Sequence, residues 1–259
     1  MVDAPEFLVK FATTNDEFRA AQRLRYQVFI SELGGRGELV DHKNELERDH
    51  FDPYFDHLIL IDKNHQNNLN CGVVGVYRLL TDEKAKEIGQ FYSEDEFNLS
   101  KLRHSGRKLL ELGRSCVHPN YRGGTAVFHL WQGLSDFVEK QKIEILFGVA
   151  SFHGTDPMAI AAPLSLLYHN HLAPIDLRVK AQERNSHTMN LIPPERLDRR
   201  KAVVEIPALI KAYLRLGGFV GKDVFVDYEF NTTDVCLILD LARLRDRQKE
   251  IYSGHESRK

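Results

Sequence analysis

The order of strand-like and helix-like segments predicts an α/β domain with a central sheet over residues 1–242, followed by a charged tail over residues 243–259. Three observations carry this. Apolar runs of strand length alternate with stripes of helical period. No internal repeat or low-complexity linker marks a boundary. The composition is that of a globular chain, with 42% hydrophobic and 28% charged residues among 259.

Phe7–Thr13 reads as a short strand. Thr14, with Glu17 three residues on, is a capping-box signal. Phe18, Ala21, Leu24, Arg25 and Val28 then recur at helical spacing until Gly34-Gly35 stops the helix. An acidic, aromatic loop over residues 45–56 leads to strands at 57–61 and 71–80, joined by a polar turn at 64–70. A basic loop, Arg103–Lys108, precedes a strand at 109–118, and a Gly-containing turn feeds a helix whose stripe is Ala126, Leu130, Leu134, Phe137 and Val138. A strand at 143–151 follows, and Asp156-Pro157 opens a helix running to about Tyr168. Pro207 suits the first turn of a short helix over 208–216. Strands at 224–230 and 235–241 close the fold.

Thirty-five basic against 37 acidic side chains give a net charge of −2, which excludes a strong nucleic-acid footprint. No apolar run approaches the ~18 residues of a membrane span. The N-terminal residues lack the basic start and apolar run of a signal peptide. Three cysteines, Cys71, Cys116 and Cys236, form no CxxC pair, so neither a disulfide framework nor a metal site is expected. A cytoplasmic location follows.

The strand ending at Val117, the turn His118-Pro119-Asn120-Tyr121-Arg122-Gly123-Gly124-Thr125 and the helix after it form a candidate phosphate cradle. Glycines let backbone N–H groups approach an anion, and the helix dipole favours its charge. A tight turn without a ligand is the plainer reading of the turn alone. With its context it resembles the acyl-donor signature of the GNAT acyltransferases. Thr125 stands where that signature has another glycine, which favours a donor carrying only phosphopantetheine.

Glu111 sits in an apolar strand, Leu110-Glu111-Leu112-Gly113-Arg114, where burial suits a proton acceptor. A structural Glu111–Arg114 ion pair is the alternative. A bulge at Gly113 is expected to re-aim the strand and expose an N–H for a thioester oxyanion.

Arg25-Tyr26-Gln27-Val28-Phe29, Asp49-His50-Phe51-Asp52, Tyr77-Arg78-Leu79-Leu80 and Glu111-Leu112-Gly113-Arg114 together resemble the acyl-homoserine-lactone synthases. Over about residues 20–240 the chain is more similar to the ornithine–acyl carrier protein N-acyltransferases of ornithine-lipid synthesis. That resemblance rests on His50-Phe51-Asp52-Pro53 with Asp56-His57, Phe91-Tyr92-Ser93-Glu94, residues 110–119, residues 151–157, residues 209–217 and Phe230-Asn231-Thr232-Thr233-Asp234-Val235. It implies a GNAT-like acyltransferase fold, a central mixed, mostly antiparallel sheet flanked by helices. It also implies transfer of a 3-hydroxyacyl group from an acyl carrier protein thioester to the α-amine of ornithine. Glu111 is then the base, with Arg114 and Arg78 organising the pocket. Arg25, Phe29, Asp49, Asp52, Ser151 and His153 bind substrate, and Val117, Arg122, Gly123, Gly124 and Thr125 hold the donor. No tightly bound cofactor is implied beyond the carrier's acyl-phosphopantetheine.

Weaker signals have plainer readings. Lys101, Arg103, His104, Arg107 and Lys108 could dock an acidic carrier, but a solvated charge run is favoured. Ser151, His153 and Asp156 lack the spacing and elbow of a hydrolytic triad. Cys116 reads as a buried thiol, and His169 with His171 lacks a third ligand. The basic, apolar segment 208–220 suits peripheral contact with the inner face of a membrane, although a helix packed on the sheet is favoured. Competing functions are a homoserine-lactone-type synthase, an N-acyltransferase for another amino acid, and a non-catalytic carrier-binding module.

Overall fold

The computed structural model describes residues 4–65 and 70–244. Residues 66–69 of the expected polar turn, and the charged tail from residue 245 on, lie outside the described residues. The strands are β1 (Phe7–Phe11), β2 (Asp56–Asp62), β3 (Val73–Thr81), β4 (Phe97–Asn98), β5 (Leu109–Val117), β6 (Ile145–His153), β7 (Lys180–Ala181), β8 (Ser186–Thr188), β9 (Phe219–Val220), β10 (Asp223–Asp227) and β11 (Thr232–Asp240). The α-helices are α1 (Asn15–Arg25), α2 (Asp82–Ile88), α3 (Ser100–Arg103), α4 (Ala126–Gln141), α5 (Ala161–His171), α6 (Arg199–Glu205) and α7 (Ala208–Arg215).

Two compact units divide the chain. Among the described residues the first holds those up to Leu80 and Leu112–Lys142, and the second holds Thr81–Glu111 and those from Ile143 on. In the first, β1 and β3 pair antiparallel with β2, in registers running from Phe7↔Asp62 and Asp56↔Leu79. The Thr14–Glu17 capping box is present and starts α1. Ala20, Ala21 and Leu24 of α1 bury against Ile59, Ile61, Val73 and Val76. The chain then continues into a π-helix, Tyr26–Glu32, that ends before Gly34 (φ 73°). The expected helix therefore has the right extent, but its last part is wound with i→i+5 bonds, a geometry often found at functional sites. Helix α4 lies on β1 and β2 through Ala126, Leu130, Leu134 and Val138. Gly133 permits that approach, because a Cβ there would stand 2.4 Å from Val9 Cγ1.

In the second unit, Leu109–Glu111 of β5 runs parallel to Ile145–Phe147 of β6. Apart from an isolated parallel bridge of Leu172 with Val220, the other pairings there among the described residues are antiparallel: β6 with β11, β11 with β10 and β9, β10 with β8, and the separate pair β4 with β7. The architecture is thus α/β, with mixed, mostly antiparallel pairing and helices packed on the strands.

Helix α5 starts at Ala161 rather than at Asp156-Pro157. The Asp156 carboxylate accepts the Met158 N–H at 2.9 Å, which makes the segment a turn before the helix begins. Helix α7 follows Pro207 as expected and buries Ile210 and Tyr213. Among the described residues no helix is long and apolar enough to cross a membrane.

Candidate active site

In the first unit, Arg25 ends α1 on the same face as Ala21 and Leu24, which carries its guanidinium wholly out of solvent. It is met there by the loop before β2. Arg25 Nε donates to Glu47 Oε2 at 2.5 Å, and Nη2 donates to the Glu47 carbonyl at 2.6 Å and to Asp52 Oδ2 at 2.8 Å. Arg78, equally buried on β3, donates through Nη1 to Asp49 Oδ1 at 2.8 Å and Asp52 Oδ1 at 2.6 Å, and its Cζ lies 4.4 Å from the Phe55 ring centroid. Arg114 of β5 donates to Glu47 Oε1 at 3.0 Å, stands 3.5 Å from Asp49 Oδ2 and lies over the Phe29 ring of the π-helix at 5.8 Å. Three guanidiniums and three carboxylates thus interlock. Burial alone would raise the carboxyl pKa values of Glu47, Asp49 and Asp52, but the neighbouring arginines outweigh it and hold all three below the usual range.

The structure brings Arg25, Phe29, Asp49, Asp52, Arg78 and Arg114 together in one network. Glu47, which bridges Arg25 to Arg114, was not anticipated. His57, part of the family resemblance but given no role by it, also joins: its Nε2 lies 3.3 Å from the Asp52 carbonyl oxygen, and burial, with Arg25 adding, lowers its pKa to about 4.

His57 is therefore neutral in the fold and gains a proton on unfolding at any pH between about 4 and its ordinary 6.5. The unfolded chain binds more protons in that window, so stability falls as the pH drops through it. About 3 kcal/mol is expected to be lost to this residue between pH 6.5 and pH 4. Denaturant titrations across that range check it. His57→Phe should show a shallower slope than the wild type, and parallel slopes would contradict the assignment.

In the second unit two backbone N–H groups and one hydroxyl donate to Glu111, which is 1% exposed. The Ser93 N–H reaches Oε1 at 2.6 Å, the Ser93 hydroxyl donates to the same oxygen, and the Tyr92 N–H reaches Oε2 at 2.9 Å. Both residues lie in the 3₁₀ turn Tyr92–Asp95, whose Glu94 accepts the Phe91 N–H at 2.7 Å and the Arg103 Nε–H at 2.9 Å. The Phe91-Tyr92-Ser93-Glu94 segment is thus a seat for the buried acid. The left-handed residue of β5 is Arg114, with φ 48°, one position beyond the glycine where the bulge was expected. The parallel pairing of β5 with β6 takes in Leu109, Leu110 and Glu111.

Cations of the basic loop have internal partners. Besides Arg103 on Glu94, Arg107 donates to Asp240 Oδ1 at 2.6 Å, Lys101 donates to the Ile175 carbonyl, and Lys108 Nζ stands 3.9 Å from Glu83 Oε1. Ser151 and His153 are exposed on one face of β6, opposite Asp234 and Thr232 of β11. Burial pushes the Cys116 thiol up to about 12, so it stays protonated near neutral pH. His169 Nε2 lies 2.9 Å from the Ile192 carbonyl oxygen. Glu96, Asp227 and Asp234 place one carboxylate oxygen each within 4.8 Å of the others.

At the donor turn, Val117 is buried, whereas Arg122, Gly123, Gly124 and Thr125 are exposed. Gly123 is left-handed at φ 76°, and Thr125 offers α4 no side-chain cap, so the first N–H groups of a 16-residue helix have no side-chain acceptor from the cap. Arg122 is engaged by Glu32 of the π-helix, at 2.6 and 2.7 Å, and by the Val117 carbonyl at 3.0 Å.

The chain is 54% identical over 254 residues to the L-ornithine N(alpha)-acyltransferase of Rhodobacter capsulatus, covering 98% of this chain and 97% of the relative. It belongs to the L-ornithine N(alpha)-acyltransferase family. The Brucella abortus protein of the same name is 38% identical over 252 residues, 96% of this chain and 90% of that one. Residues 24–132 also match the acetyltransferase (GNAT) domain family, so the π-helix, the arginine network, Glu111 and the donor turn all fall inside the match. Solved structures of like fold include the acyl-homoserine-lactone synthase LasI (TM-score 0.53, 14% identity, 98% of this chain and 100% of that one) and FeeM, an N-acyl amino acid synthase from uncultured soil microbes (0.53, 12%, 98% and 100%). The family fold is therefore the GNAT-like acyltransferase fold, and the protein is an acyltransferase.

Proposed function

We propose that the protein moves a 3-hydroxyacyl group from an acyl carrier protein thioester to the α-amine of L-ornithine. The observation that carries this reading is the near-full-length likeness to a protein named for that acceptor. In the reaction, the ornithine α-ammonium gives up a proton, and the freed amine attacks the thioester carbonyl. The C–N bond forms, the tetrahedral oxyanion collapses, and the C–S bond breaks. The carrier thiolate takes one of the two protons that the nitrogen loses, and the other leaves to solvent.

Glu111 is the proton acceptor, directly or through a water. The Tyr92–Ser93 donors fix where its oxygens point, as a general base requires. Arg78 and Arg114 organise substrate binding from the network they share with Arg25, Phe29, Asp49 and Asp52, and Ser151 and His153 are further substrate contacts. The turn from Val117 to Thr125 receives the phosphodiester of the carrier's phosphopantetheine. The enzyme works in the cytoplasm, and its amphiphilic product passes to the inner face of the membrane.

The test is an incubation of purified protein with 3-hydroxyacyl-loaded carrier protein and a panel of amino acids, read by mass spectrometry. N-acyl-ornithine is the expected product. An N-acyl derivative of a different amino acid would replace the acceptor, and carrier binding without any product would refute the catalytic reading.

A further inference from the structure

Arg122 is the only formally charged side chain between His118 and Thr125. Its guanidinium is already taken: Nη1 and Nη2 donate to the two oxygens of Glu32 at 2.6 and 2.7 Å, and Nε donates to the Val117 carbonyl at 3.0 Å. This is the paired geometry in which an arginine would otherwise grip a phosphate. The fold has little need of the pair. The side chains remain 42% and 37% exposed, and exposed ion pairs add little stability. His118 brings no compensating charge near neutral pH, because burial lowers its pKa. The backbone is nevertheless open, since a Cβ added at Gly123 would meet nothing within 4 Å.

We propose that Glu32 selects the donor: it withholds Arg122 and places a carboxylate beside the turn, so that a singly charged phosphodiester is accepted and free coenzyme A is disfavoured. Coenzyme A brings a pyrophosphate and a 3′-phosphate, about four negative charges in all. The acyl-phosphopantetheine of a carrier protein brings one. The inference rests on the reading of this turn as the donor site, and it adds the residue that decides which donor enters.

The experiment measures coenzyme A binding by calorimetry at low ionic strength, for wild type, Glu32→Gln and the double variant Glu32→Gln/Arg122→Gln. Glu32→Gln is expected to bind about tenfold tighter than wild type, and the double variant to lose that gain. Equal affinity in wild type and Glu32→Gln, or no binding by either, overturns the proposal. So does a gain that survives in the double variant. Rates with matched 3-hydroxyacyl chains complete the test: the carrier-to-coenzyme A ratio of kcat/KM should fall about tenfold in Glu32→Gln. Should wild type acylate ornithine from neither donor, the proposed function fails, while the binding series still decides the role of Glu32.

Discussion

Replacing Glu111 by glutamine is expected to lower kcat for N-acyl-ornithine formation by about 10²–10⁴-fold, the usual contribution of a positioned general base. The substitution also has a structural cost. All three groups aimed at the carboxylate are donors or can donate, so the new amide N–H₂ must face a backbone N–H of Tyr92 or Ser93. Leaving such a donor unmatched costs about 1–3 kcal/mol. The pH profile separates the two effects. Without a base, the variant depends on ornithine whose α-amine is already neutral, so its rate should climb about tenfold per pH unit up to the pKa of that amine. Its deficit against wild type should therefore shrink as the pH rises. A deficit equal at pH 6.5 and pH 9 would mean that Glu111 serves to hold the Tyr92–Ser93 turn and takes no proton.

What the sequence made legible follows from how each feature is encoded. The strands at 57–61, 109–118 and 235–241 were placed within about three residues, because an apolar run is the direct trace of burial. Local polar chemistry was harder to read. Asp156 looked like the start of a helix until its side chain was seen to close a turn on Met158. The basic residues 101–108 read as a solvated run, yet Arg103 and Arg107 have carboxylates of their own, because charge in a string says nothing about what folds against it. Residues 25, 49, 52, 78 and 114 share no local pattern, and family resemblance alone pointed to them as a group. Glu47 escaped even that. The loop carries Glu45, Glu47, Asp49 and Asp52, and the chain direction decides which turns inward. A bridge between Asp41 and Leu46, with Glu45 exposed in a left-handed conformation (φ 56°), reverses the chain and tucks Leu46 and Glu47 inside.

Glu47→Ala is expected to destabilise the protein by about 3–5 kcal/mol, as removal of one partner from a buried ion network does. A domain of this size should then melt about 10 °C lower. The side chain is 1% exposed and serves two cations at once, so its loss takes a carboxylate from each. Arg25 suffers most, because it is fully buried and its Nη1 already has no hydrogen-bond partner among the described residues. Arg114 suffers differently. Its left-handed backbone costs an L-residue about 1–2 kcal/mol, and the contacts of its side chain with Glu47, Asp49 and the Phe29 ring offset that cost. Once Glu47 is gone, glycine at position 114 should be tolerated better than arginine, since it removes both the strain and a cation that has lost its Glu47 hydrogen bond. A double-mutant cycle of Glu47→Ala with Arg114→Gly, read by chemical denaturation, should show a favourable coupling of at least about 1 kcal/mol. Additive losses would mean that Glu47 acts on Arg25 alone, and that Arg114 keeps its backbone conformation through Asp49 and Phe29.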